Sequence, residues 1–257
     1  MKNLEGKIVF ITGASSGIGK SCATEFAKLK ANLILTARRE DRLKDLAKEL
    51  EQNYKIKTLC LKLDVRKFED VESLYNNLSE DWKKVDILVN NAGLARGLDK
   101  FYAGKLSDWN EMIDTNIKGL LNVSRVVVPQ MVERQTGHII NIGSTAGHET
   151  YTFGNVYSAT KFAVKALSQS FRLDVLDKSI KVSSVDPGMV YTEFSKVRFS
   201  GDIERADNVY KGITPLSPDD VAEAVLFCAT RPDNVNINEI ILTPVQQASS
   251  SQVYRKN

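Results

Sequence analysis

From Lys7 onward the chain alternates short β-branched runs with segments carrying apolar residues at helical spacing, and few folds are open to a chain written this way. Lys7–Thr12 (KIVFIT), Asn32–Ala37 (NLILTA), Thr58–Leu63, Val85–Asn90 (VDILVN), His138–Ile142, Lys181–Val185 and Glu239–Leu242 read as strands. Between them, Ile18–Lys30, Arg42–Glu51, Phe68–Leu78, a long stretch from about Trp109 to Glu133, and Asn155–Leu176 read as helices. A last helix starts at Ser217-Pro218-Asp219-Asp220 and runs to about Ala229, with Ser as N-cap, Pro in the first turn and acids at the positive end of the dipole. Repeated strand–helix–strand units predict an α/β fold: a doubly wound parallel sheet of about seven strands with helices on both faces. No Pro/Gly/Ser-rich linker, repeat or low-complexity tract interrupts 1–257, so one domain is expected. The longest irregular stretch, 188–216, is the expected site of a functional loop. The tail, 245–257, either hangs free or lies on a neighbouring subunit.

Composition excludes several classes. Lys+Arg 35 against Asp+Glu 32 leaves +3, too even for a protein that grips a nucleic-acid backbone. The longest apolar run, Ala224 to Ala229, is far short of a membrane span, and no long apolar segment precedes the first strand. Cys22, Cys60 and Cys228 form no CxxC, and His138 and His148 lie far from them in sequence, so neither a disulfide framework nor a metal site is expected. Such thiols suit a reducing, cytoplasmic compartment.

The first strand runs into Thr12-Gly13-Ala14-Ser15-Ser16-Gly17-Ile18-Gly19, where a helix begins. Glycines there let the backbone turn sharply and approach a pyrophosphate, whose charge then rests at a helix N-terminus. After the second strand stand Arg38 and Arg39 rather than an acid. Two guanidiniums suit the 2′-phosphate of NADP(H) through bidentate hydrogen bonds, where a carboxylate would suit the free hydroxyl of NAD. Further on, Tyr157 and Lys161 are four apart and so share a helix face. An ammonium near a phenol favours the phenolate and draws its pKa down from about 10. Ser144, thirteen positions before Tyr157, ends the strand His138–Gly143 and could hydrogen-bond a substrate oxygen.

TGASSGIG at Thr12–Gly19, NNAG at Asn90–Gly93, Ser144, YSATK at Tyr157–Lys161 and Pro187-Gly188 together resemble the short-chain dehydrogenase/reductase family over essentially the whole chain. The resemblance implies a single-domain Rossmann fold and a homotetramer built on the two long helices. It implies that Tyr157 exchanges the proton with the substrate oxygen and that Lys161 holds the nicotinamide ribose and tunes Tyr157. Ser144 would be the oxygen's hydrogen-bond partner, and Asn116 a fourth catalytic residue supporting a water-linked proton path to Lys161. Cofactor contacts carried over by position are Gly13, Ser15, Ser16, Gly17, Ile18 and Gly19, then Asp64 and Val65 at the adenine. Asn90, Ala92 and Gly93 follow after the fourth strand, with Pro187, Gly188, Val190 and Thr192 at the carboxamide.

The C-terminal third, from Thr192-Glu193-Phe194 through NVNINEIILTPVQQ, is similar to NADP-dependent 3-hydroxy acid dehydrogenases, also described as serine or L-allo-threonine dehydrogenases. That implies a small 3-hydroxy or 3-oxo acid as substrate, and a cation for its carboxylate. Arg198 is the expected cation, since a planar guanidinium grips a carboxylate with two bonds; a solvated surface arginine is the plainer reading. His148 is either a substrate contact or a rim residue, with Glu149 and Arg96 near the pocket mouth. Alternatives are a thioester or carbonyl reductase of the same family, and a non-catalytic NADP(H) sensor.

Overall fold

Alternation along each strand builds two core layers from one sheet. In a computed structural model of the protein, residues 3–256 are described; Met1, Lys2 and Asn257, the ends of the expected 1–257 domain, lie outside them. On β1 (Ile8–Thr12), Val9 and Ile11 face one side and Phe10 the other, all essentially inaccessible to solvent. On β2 (Asn32–Ala37), Leu33 and Leu35 join the first layer and Ile34 the second, as period two requires. The first layer packs on α1 (Gly17–Lys28) and α2 (Glu40–Tyr54), through Phe26, Leu43 and Leu50. After β3 (Thr58–Lys62), α3 (Phe68–Asn76) supplies Val71 and Tyr75 to the second layer, and a short α4 (Glu80–Lys83) leads to β4 (Ile87–Asn90).

The chain continues through α5 (Leu106–Ile113), α6 (Gly119–Arg134), β5 (Gly137–Ile142), α7 (Asn155–Asp174) and β6 (Ile180–Pro187). Short helices α8 (Phe194–Arg198) and α9 (Ile203–Asn208) precede α10 (Pro218–Ala229) and β7 (Glu239–Leu242). All strand pairs are parallel, in the order β3-β2-β1-β4-β5-β6-β7. This is the expected single-domain, doubly wound α/β sheet. The order reverses between β1 and β4, which opens a crevice beyond the carboxyl ends of the central strands. At α10, whose N-cap Ser217 is as expected, Ser217 Oγ accepts from the Asp220 N–H (3.2 Å) while Asp220 Oδ2 accepts from the Ser217 N–H (2.7 Å), closing a capping box. No described helix is long and apolar enough to cross a membrane. Cys22, Cys60 and Cys228 are free thiols.

Three expectations are corrected. The long helix expected from about Trp109 to Glu133 is α5 and α6 joined by a π-helical segment, Asp114–Lys118. The stretch 188–216 is not irregular throughout, because it carries α8 and α9. Their five and six residues span under two turns, too few to display a 3.6-residue period, and tertiary packing holds them where propensity alone would not. The tail lies on its own chain. Gln247 Oε1 accepts from the Met189 N–H (2.8 Å), the Lys256 N–H donates to the Gly212 carbonyl (2.8 Å), and Arg255 donates to the Val209 carbonyl (3.0 Å).

Candidate active site

The crevice is a cleft of about 350 Å³ running from the ends of β1–β3 to those of β5 and β6. Its first wall is the turn after β1. Gly13 has φ +67°, and a Cβ on Gly19 would sit 2.5 Å from the Gly13 carbonyl, so neither position accepts a side chain without strain. Ser15, Ser16 and Ile18 line the cleft with Gly13, while Gly17 and Gly19 shape the turn behind it. No acid stands in the first turn of α1, which leaves its positive end free for an anion.

Arg38 and Arg39 both reach this end of the cleft. Arg39 lies over the turn, donating to Ser16 Oγ (2.7 Å) and Ser15 Oγ (3.2 Å), and its Nη1 pairs with Glu193 Oε2 (2.8 Å). Arg38 is over half exposed, with Glu111 3.7 Å away. Asp64 and Val65 line the cleft, but the Asp64 carboxylate is already clamped by Arg66 Nε (2.8 and 3.0 Å), which holds its pKa below the ordinary value.

Ala92 and Gly93 line the middle of the cleft as expected; Asn90 does not. Asn90 is buried behind the strand and donates to Ser124 Oγ (3.0 Å) and Asn141 Oδ1 (2.9 Å). The next residue takes its place, since successive side chains leave a strand on opposite faces. Asn91 Nδ2 donates to the Thr12 carbonyl (2.8 Å) and the Gly13 carbonyl (3.2 Å), tying β4 to the glycine turn. Sequence reasoning missed Asn91, although it stands within NNAG.

At the far end Ser144, Tyr157 and Lys161 meet, with Pro187, Gly188, Val190 and Thr192 forming the roof. Ser144 Oγ accepts from the Ala146 N–H (3.1 Å), so this serine caps a short turn while also meeting Tyr157. Tyr157 is buried, and Phe194 of α8 packs edge-on against it, 5.5 Å between ring centroids. Burial, and next Tyr151, push its phenol above the ordinary pKa, while Ser144 and Arg198 pull it back. Arg198 lies 5.8 Å from the Tyr157 ring centroid. Lys161 Nζ donates to the Ile142 carbonyl (2.9 Å) and lies 6.0 Å from that centroid. Lys161 and Arg198 thus stand at nearly equal distances from the Tyr157 ring, so two cations flank the phenol rather than the expected one.

Burial lowers Lys161 from its ordinary 10.5 to about 8, opposed by Asp186. An unfolded lysine stays charged to near 10.5, so between these values the native state holds fewer protons and stability rises with pH. Replacing Lys161 with Met should raise the melting midpoint at pH 7 and remove that rise, a difference on the order of 3 kcal/mol across the window. Melting curves at pH 7, 9 and 10.5 decide it; a parallel rise in both proteins contradicts it.

Asn116 sits in the π-helical segment. Its Oδ1 accepts from the Leu94 N–H (2.9 Å) while Nδ2 donates to the Leu94 carbonyl (2.8 Å) and Thr160 Oγ1 (3.0 Å). Three of the amide's four hydrogen-bonding positions are thus filled, and the side chain stitches the cleft floor to α7.

Of the expected substrate residues, Arg198 lies next to Tyr157 but does not itself line the cleft. Arg198 Nε donates to the Gly97 carbonyl (2.8 Å) and Nη1 to Tyr151 Oη (2.9 Å), setting the guanidinium beside the Tyr157 ring. His148 is not at the pocket: its Nε2 meets the buried Asp186 carboxylate (2.5 Å) and its Nδ1 meets Lys165 Nζ (2.8 Å). A buried carboxylate out of contact with water requires such a partner, and the sequence separation of 38 hid the pair. Arg96 is bound to Glu111 (2.7 Å) and the Val197 carbonyl (2.6 Å), and Glu149 to tail serines, so both hold structure.

The donor set suits a phosphorylated dinucleotide. Guanidiniums and serine hydroxyls gather at one end, apolar walls from Ile18 and Val65 lie between, and a buried ammonium stands at the other. Thr115 Oγ1, buried on the cleft wall, has no hydrogen-bond partner among the described residues.

A family model described as short chain dehydrogenase matches residues 7–202. The chain is 45% identical over 257 residues to an NADP-dependent 3-hydroxy acid dehydrogenase of Schizosaccharomyces pombe, covering all of this chain and 99% of that one. It is 44% identical over 245 residues to sulfoacetaldehyde reductase 2 of Chromohalobacter salexigens, covering 95% and 96% respectively. Among solved structures it resembles a closed form of serine dehydrogenase complexed with NADP+, with TM-score 0.91 and 43% identity over 97% of this chain and all of that one.

Proposed function

The chain belongs to the short-chain dehydrogenase family, and we propose that it is an NADP(H)-dependent oxidoreductase interconverting small 3-hydroxy acids and the corresponding 3-oxo acids or semialdehydes. The observation that carries the substrate class is Arg198: a guanidinium 5.8 Å from the buried Tyr157 ring is where a substrate whose acid group is one carbon removed from its reacting carbon would be gripped. The relatives named above support the cofactor and the anionic substrate.

In this reading Ser15, Ser16 and the start of α1 hold the pyrophosphate, Arg38 and Arg39 the 2′-phosphate, and Lys161 the ribose nearest the reaction. The nicotinamide, when bound, supplies or accepts the hydride. In the oxidative direction Tyr157 Oη takes the hydroxyl proton of the substrate. Ser144 hydrogen-bonds the same substrate oxygen and steadies the charge that builds there. Burial raises the phenol, so the cations around it decide whether it can act as a base: the guanidinium of Arg198 and the ammonium of Lys161, 5.8 and 6.0 Å from the ring centroid. Phe194 covers the ring and keeps water from the transferred proton.

The direct test mixes the purified protein with NADP+ and L-serine, L-allo-threonine or 3-hydroxyisobutyrate and follows near-ultraviolet absorbance, with NAD+ in parallel. Reduction of NADP+ but not NAD+ is expected. Silence on all three acids removes the hydroxy-acid reading. A second reading, a reductase of small sulfonated aldehydes, is favoured by the resemblance to sulfoacetaldehyde reductase 2 and by Arg198, which would serve a sulfonate equally. Consumption of NADPH with sulfoacetaldehyde, at higher kcat/KM than with malonic semialdehyde, would select it. Exposed apolar residues on α5–α7, among them Leu106, Leu121, Phe162 and Leu173, support a homotetramer; a monomer mass by light scattering at micromolar concentration would reject it. The free thiols support a cytoplasmic site of action.

A further inference from the structure

We propose that Glu193 competes with the cofactor's 2′-phosphate for Arg39 and so limits how strongly the enzyme discriminates NADPH from NADH; the inference rests on the NADP(H) reading above. Glu193 stands at the start of α8, on the segment that follows β6, and Arg39 stands across the cleft at the end of β2. Their ion pair, Arg39 Nη1 to Glu193 Oε2 at 2.8 Å, therefore bridges the two walls. The other carboxylate oxygen pairs with Arg42 Nη1, also at 2.8 Å, in the first turn of α2. Meanwhile Arg39 Nη2 stays on Ser16 and Ser15, which keeps its guanidinium over the glycine turn.

A carboxylate and a phosphate monoester use a guanidinium in the same way, offering two oxygens to its paired N–H groups. Both cannot occupy one edge of Arg39. The hydrogen bonds from Arg42 and Arg39 hold the Glu193 carboxyl down to about 2, so it stays ionised at any pH at which the enzyme works. A phosphate arriving at Arg39 must displace that charge or crowd against it. Arg42 lets the carboxylate give way without being stranded, because it remains as partner once Arg39 is taken. NADH carries hydroxyls in place of the phosphate and makes no such demand on Arg39, so the penalty falls on NADPH alone.

The side chains concerned are 40–48% exposed, and exposed ion pairs are weak. The expected effect of Glu193→Gln is therefore modest: NADPH binds roughly three- to tenfold more tightly, and NADH changes by less than about twofold. Binding is read by fluorescence titration of wild type and variant, with adenosine 2′,5′-bisphosphate and 5′-AMP titrated by calorimetry as the same comparison without the nicotinamide half. Glu193 is on the surface, and a melting curve verifies that the variant is folded. NADPH binding that is unchanged or weaker in the folded variant overturns the proposal. Equal tightening of both cofactors overturns it too, because Glu193 would then be a general gate. A wild type that prefers NADH would instead refute the NADP(H) reading on which the proposal rests.

Discussion

Tyr157→Phe should lower kcat for a 3-hydroxy acid by roughly 10²- to 10⁴-fold, the range that a positioned proton-transfer group contributes. The ring itself is buried and packs on Phe194, so Phe keeps the apolar contacts and loses only the hydroxyl. NADPH binding by fluorescence should remain within a few-fold of wild type, and the melting midpoint should not fall. The pH profile adds a second check. The cations that make the phenol a usable base include Lys161, which loses its charge near 8. Burial keeps the phenol mostly protonated through this range, so oxidation rates in the wild type should rise from acid pH as the phenolate fraction grows, then flatten above about 8. Residual turnover of the Phe variant above one-tenth of wild type would remove Tyr157 from the proton-transfer role.

The second large effect belongs to Arg198. Replacing it with Gln should raise KM for a 3-hydroxy acid by about 10- to 100-fold, as expected for losing a hydrogen-bonded pair to a charged group worth about 1.5–3 kcal/mol. KM for a neutral secondary alcohol should change much less. The control matters because Arg198 has structural duties as well, at the Gly97 carbonyl and Tyr151 Oη. Steady-state kinetics on both substrates separates the roles: equal losses would make Arg198 a brace for α8 and leave the carboxylate without an assigned partner.

Short continuous apolar, β-branched runs such as KIVFIT and NLILTA make the seven strands legible, because a strand buried on both faces is written into a few consecutive residues. The glycine turn and Ser144, Tyr157 and Lys161 were legible for a similar reason: their spacing is local, or fixed by the strand and helix that carry them. What escaped depends on partners far apart in the chain. Nothing near His148 marks Asp186 as its partner, and nothing near Glu193 marks Arg39 and Arg42, more than 150 positions away. The choice between Asn90 and Asn91 was invisible because it turns on which face of β4 the last residue takes. The π segment at Asp114–Lys118 escaped because its cause is tertiary: the Asn116 amide is drawn to both backbone groups of Leu94.

The hydrogen bonds that the C-terminal tail makes to Met189 and Gly212 have a consequence in polymer terms. They pin the segment over the cleft at both ends, so any rearrangement is confined to the residues between those points. The entropy of closing a loop grows only with the logarithm of its length, while loose flanking chain adds states that must be given up on ordering. With both ends held, the segment behaves as a short arch rather than a swinging arm, and its closure over a ligand draws little on binding energy.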